Sequence, residues 1–186
     1  AVAMNVQFRM LYDSLHKVDW DMTLFLVKGA NVTTVTKKID NEKIKNVLFN
    51  GTKIVGYNRF QNFGYKYHLG VPSSRNVVIP ALLLMIGLGY KNIYLYGAEF
   101  SWTKNIDVNP VNNGIYLNDS HFYKKDDVKY YESGWYKCFL ESVVDMMNGI
   151  EQIAKYANSR GVKIINRTKG SFIDSFEYEN IDNIVG

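Results

Sequence analysis

From Val77 to Leu88 the chain is apolar apart from Gly87, with Pro80 near the start of the run. After Gly89 and two polar-edged residues, a second apolar run follows from Asn92 to Tyr96 and stops at Gly97. No feature constrains the fold more. The first run is well short of the roughly 20 residues that a membrane-spanning helix needs. Pro72-Ser73-Ser74-Arg75 stands in front of it, and a serine there can cap a helix start. Gly89 suits the residue just past a helix end. A helix, a glycine and a buried strand make half of a βαβ unit, so the spacing predicts a parallel α/β sheet.

The rest of the chain repeats this alternation. Val2 to Met4 reads as a short strand ending at the polar residues Asn5 and Gln7, and Phe8 to Leu15 has helical spacing. Met22 to Val27 is nearly continuously apolar, the texture of a strand covered on both faces. Residues 31–45 are polar and ambiguous. Val47 to Phe49 and Ile54 to Tyr57 flank Asn50-Gly51, a hairpin signal. Residues 58–73 read as a loop. Trp135 to Tyr156 has a long helical period, followed by a turn at Asn158 to Gly161, a strand at Val162 to Ile165 and a last helix beginning within Ser171 to Phe176. Together these predict one Rossmann-like domain over residues 1–186, a mostly parallel sheet flanked by helices. Residues 101–133 have no clear period and form a lid-like insertion. The chain opens at Ala1 inside an apolar stretch, without an initiator methionine, so a strand upstream of it is expected.

Composition narrows the function classes. The 186 residues are 47% hydrophobic and 22% charged, which supports a packed core rather than disorder. A net charge of +4 favours anionic ligands slightly. The lysines are scattered, with no basic arm for nucleic acid. Cys138 is the only cysteine, so no intrachain disulfide forms. His16, His68 and His121 are far apart, and Asp126-Asp127 sits beside Lys124-Lys125, so no metal site is expected.

In open α/β sheets, ligands bind beyond the carboxyl ends of the strands. Three polar clusters fall there: Asn5 with Gln7, Lys28 to Asn31, and Glu99 with Ser101 and Trp102. Each alone is ordinary loop chemistry; their coincidence at one sheet edge makes them candidates. His121 lies in Asn118-Asp119-Ser120-His121-Phe122-Tyr123. A neutral imidazole can take a proton from a hydroxyl, and Asp119 could orient it. A surface histidine is the bland alternative.

The string Leu88-Gly-Tyr-Lys-Asn-Ile-Tyr-Leu-Tyr-Gly-Ala-Glu-Phe100 resembles the "ALGYKEIYLSGIDFY" segment of the bacterial sialyltransferases of glycosyltransferase family 42. Asn118 to Tyr123 is similar to their "NDRSHY"-like stretch, and Met4 to Phe8 to a "CNQF"-like strand end. Ile150 to Ile165 resembles their closing helix and strand, and the order of all four is kept. The resemblance implies an inverting, metal-independent transfer of sugar from a cytidine monophosphate (CMP)-activated donor to a lipopolysaccharide or capsule acceptor. It makes His121 the general base and Asn5 a contact to the donor nucleotide. It puts Ser74, Arg75 and Asn76 near the phosphate or ribose, and Gln7, Glu99, Ser101 and Trp102 join the candidate donor site from their places at the predicted strand ends. No cofactor is implied, and the partners are the nucleotide-sugar donor and the glycan acceptor.

Two departures from the family pattern stand out. Ser101 and Trp102 follow Phe100 where the family has a tyrosine that holds the leaving phosphate, which leaves Tyr116 and Tyr123 to substitute. The family's first strand and its "GNGPS"-like turn are not in this sequence. A relative with another donor sugar would look much the same. Two other readings compete: an MptE-like pterin diphosphokinase, which needs clustered carboxylates and magnesium, and a non-catalytic Rossmann-like binding module. Relatives of this kind work in the cytoplasm beside the inner membrane. The basic charge permits that peripheral association, and a homo-oligomer is equally compatible.

Overall fold

The structure is a computed structural model that describes residues 6–29, 32–119, 127–130 and 132–180. It is mixed α/β, built of helices and small sheets. Helix α1 (Val6–His16) leads to β1 (Met22–Val27), α2 (Val32–Ile39) and β2 (Ile44–Phe49). Strands β1 and β2 pair in parallel, with Met22 opposite Ile44 and Val27 opposite Phe49, so β1-α2-β2 is a βαβ unit. The polar segment 31–45 thus resolves into a helix and a strand. Val35 is half-buried and Ile39 fully buried on one face of α2, while Lys37 and Lys38 sit in its last turn, where the helix dipole favours cations.

Asn50-Gly51 does not make the expected hairpin, because β2 has already paired with β1. The Asn50 side chain bends the chain elsewhere: its Oδ1 accepts from Thr52 N at 3.0 Å and its Nδ2 donates to Leu69 O at 2.7 Å. Residues 52–54 then run parallel to Val71 rather than back along β2. Residues 58–73 are likewise more than a loop. They contain α3 (Asn58–Lys66), whose buried face is Gln61, Gly64 and Tyr65. That i, i+3, i+4 pattern is helical, but its polar and glycine members hide it from a hydropathy reading. Burial pushes the Tyr65 hydroxyl up to about 12, and that hydroxyl donates to Gln152 Oε1 at 3.1 Å.

The helix–glycine–strand unit forms as predicted. Helix α4 (Val78–Gly87) leads through Gly89, at φ +94°, to β3 (Asn92–Leu95). Pro80 is tolerated in the first turn, where its missing N–H is no loss. Asn76, rather than a serine, caps the helix: its Oδ1 accepts from Val78 N and Ile79 N.

Residues 101–133 hold regular structure that their lack of period concealed. After a 3-10 turn at Trp102–Asn105 come β4 (Ile106–Val108), β5 (Ile115–Asp119) and β6 (Asp127–Tyr130), an antiparallel sheet in that order. Helix α5 (Trp135–Ser159) then returns the chain to β7 (Lys163–Asn166), which pairs in parallel with β3 and with the short β8 (Glu177–Tyr178). The helix expected in 171–176 does not form. Its polar groups bind neighbouring loops instead: Phe172 N to Glu99 O, Ser171 Oγ to Ala98 O, and Asn166 Nδ2 to Ile173 O.

One core joins α4, α5, β3 and β7. Ile79, Leu82, Ile93, Ile150 and Ile153 are its most deeply buried aliphatics. Among the described residues β1–β2 and β3-β7-β8 are separate parallel sheets, with no hydrogen bonds between them. The expected strand at Val2 to Met4 lies outside the described residues. No helix among them is long and apolar enough to cross a membrane.

Candidate functional site

One face of α4, from Val77 to Leu88, lies across a cleft of about 630 Å³ from the β1–β2 sheet. Phe25, Val27 and Phe49 line it from the strands, and Pro80, Ala81 and Leu84 from the helix. Its polar rim is Ser74, Arg75 and Asn76. Apolar walls with a few convergent polar groups are the usual make-up of a small-molecule site. Among the described residues Arg75 is the only charged one in the lining, so the cleft suits an anion attached to a flat apolar body.

Two features prepare this rim for a ligand. The first is Asn76. Because its Oδ1 accepts both helix N–H groups, the orientation of its amide is settled and Nδ2 points away from the cap. That Nδ2 is buried and has no hydrogen-bond partner among the described residues. A buried donor without an acceptor is costly, typically about 1–3 kcal/mol, and a local shift that uncovers it to a ligand's acceptor would remove that cost.

The second is an ion cluster behind Arg75. Asp145, on α5, accepts from Lys53 Nζ at 2.6 Å through one carboxylate oxygen and from Arg75 Nε at 3.2 Å through the other. The Lys53 ammonium, hydrogen-bonded to it, chiefly holds its carboxyl down at about 2, with the buried Ser73 close by. The Ser73 backbone is itself clamped, because α5 passes so close that Gly149 has no room for a side chain beside it.

Of the other sequence-predicted residues, the described ones do not line this cleft. Glu99, Ser101 and Trp102 follow β3, where Phe100 takes the left-handed φ of +54°. A bulky residue is rare in that region. Here a buried ring packed at 5.0 Å from Trp102 holds it. Glu99 is exposed, and Ser101 accepts from Lys104 N at 2.9 Å. Among the described residues no hydrogen bond or ion pair joins this group to Ser74, Arg75 or Asn76. Tyr116 lies on β5 and its hydroxyl is 3.1 Å from Asp107 Oδ2. Gln7 is in the first turn of α1, not at a strand end. Asn5, His121 and Tyr123 lie outside the described residues.

The sequence reading missed the cleft walls and the cluster of Lys53, Ser73 and Asp145. Phe25 and Phe49 were legible only as strand residues. Asp145 meets Lys53 across 92 positions and Arg75 across 70, and no local pattern reports such a pairing. Among the described residues no group of three or more His, Cys, Asp or Glu side chains is arranged to hold a metal ion. Comparisons with protein-family models, with curated proteins and with solved structures find no significant match to this chain.

Proposed function

We propose that the chain is a glycosyltransferase similar to the bacterial sialyltransferases, with a Rossmann-like sheet, and that it takes a CMP-activated sugar in the cleft between β1–β2 and α4. The observation that carries this reading is the cleft's make-up. Aromatic and aliphatic walls suit a pyrimidine, and the unpaired Asn76 Nδ2 beside Arg75 offers donors to a phosphate. Guanidinium and amide donors are the ordinary means of recognising a phosphate oxygen.

In this reading the reaction is a single displacement. His121 removes the proton from an acceptor hydroxyl, the oxygen attacks the anomeric carbon from the face opposite the nucleotide, and the bond to the phosphate oxygen breaks. Negative charge then grows on the departing CMP, and donors fixed before the reaction stabilise it best. Arg75 and Asn76 serve that charge, with Tyr116 or Tyr123 replacing the family's phosphate-binding tyrosines. Asn5 completes the donor site by resemblance, with Glu99, Ser101 and Trp102, which follow β3. The acceptor is a lipopolysaccharide or capsule glycan.

Thermal shift with CMP, its sialic acid conjugate, and ATP with magnesium tests the reading. A ligand at about 100 times its Kd stabilises the protein by roughly 2.7 kcal/mol. A shift with the cytidine ligands is expected. No shift with either of them removes the sialyltransferase-like reading, and a shift with ATP and magnesium alone selects the diphosphokinase reading.

A further inference from the structure

Asp145 does not line the cleft, yet it holds a residue that does. Its side chain is 24% exposed, while Lys53 and Arg75 are 47% and 61% exposed. An arginine that open would sample many rotamers, and ordering it for a ligand costs conformational entropy. The carboxylate takes Arg75 by Nε alone. The two terminal nitrogens, Nη1 and Nη2, have no partner among the described residues. They keep the capacity to bind two oxygens of one phosphate side by side. Two cations against one carboxylate also leave the cluster with net positive charge.

We propose that Asp145 is a positioning residue for an anion site at the mouth of the cleft: it pre-sets the Arg75 guanidinium to receive a phosphate group next to Asn76 Nδ2. This rests on the donor-site reading only for the identity of the anion as the phosphate of a cytidine nucleotide. The arrangement explains why an acidic residue is tolerated beside a site built for negative charge. Its own charge is spent on Lys53 and Arg75, and the geometric gain for Arg75 exceeds the residual repulsion.

The sign of one substitution separates positioning from mere charge balance. Asp145→Asn removes a negative charge, so charge balance alone predicts tighter anion binding, whereas positioning predicts weaker binding. Affinities of the intact chain for CMP, for cytidine without phosphate, and for pyrophosphate are measured by titration calorimetry. Asp145→Asn is expected to weaken CMP and pyrophosphate roughly tenfold, the scale of losing an outer-sphere partner, and to leave cytidine unchanged. Arg75→Gln, at a position 61% exposed, gives the same loss, and the double variant loses no more than either single one. Tighter CMP binding in Asp145→Asn, an equal loss for CMP and cytidine, or additive losses in the double variant overturn the proposal. Pyrophosphate binding that depends on Asp145, without CMP binding, keeps the anion site and removes the nucleotide reading. CMP binding indifferent to Asp145 does the reverse.

Discussion

Gly149 on α5 lies directly against the backbone of Ser73, and a Cβ added at Gly149 would overlap the Ser73 carbonyl oxygen and crowd Ile79 Cδ1. The close approach seats α5 on the segment that leads into α4. It thereby sets the distance from Asp145, one turn earlier on α5, to Arg75.

Gly149→Ala should therefore be costly despite alanine's better helix propensity. The clash is with backbone, which cannot rotate away, so the elements must part. Overpacking of this kind costs about 2–3 kcal/mol, which for a chain of this size lowers Tm by roughly 5–10 °C. Urea unfolding of the variant against the wild type measures it. A loss below about 0.5 kcal/mol would show that α5 and the 72–76 segment are not held as described.

Asn76 offers a clean separation of stability from binding. Asn76→Ala removes the cap on Val78 N and Ile79 N and should cost about 1 kcal/mol. Asn76→Asp keeps an accepting oxygen and adds a charge that the helix start favours, so its stability should stay near wild type. It also replaces the Nδ2 donor with an acceptor. CMP binding should fall in both variants, and further in the aspartate. Calorimetry with CMP beside thermal melts checks both halves.

The pH dependence of stability follows from Asp145. Its folded-state pKa, about 2, lies below the ordinary carboxylate value of 3.8. The folded state therefore binds its proton more weakly than the unfolded state does. The resulting stability is present in full above about pH 4 and is lost as pH falls toward 2. Allowing for solvent screening of the two exposed partners, its size is about 1 kcal/mol. Urea midpoints for wild type and Asp145→Asn should differ at pH 6 and converge near pH 2.

His121→Ala should abolish sugar transfer and leave nucleotide binding nearly intact, since a general base is needed for the acceptor's proton and not for the donor's affinity. Single-turnover assays with a CMP-activated donor, beside CMP titrations, give the two readings. Unchanged turnover would remove His121 from the mechanism.

What could be read locally was the part governed by unbroken periodicity. The run through Ile79, Leu82 and Ile86, the left-handed Gly89 and the strand at Ile93 each announce themselves within a few residues, because one helix face and one buried strand must be apolar. The same is true of Met22–Val27 and of α5. Where a buried face is made of Gln61, Gly64 and Tyr65, or where strands are as short as Ile106–Val108, the local signal is too weak. Asn50-Gly51 shows the converse failure. It is a strong turn signal, but β1 claimed β2 first and an asparagine side chain sent the chain to Val71.

The sequence by itself determined α1, α4 and α5 and the parallel-strand texture, because these follow from spacing. Only tertiary structure decided which strands pair, that Asn76 rather than a serine caps α4, and that Asp145 grips Lys53 and Arg75 at the edge of a cleft. Those outcomes depend on contacts between residues dozens of positions apart. A hydrogen bond or an ion pair has no periodicity by which a linear reading could find it.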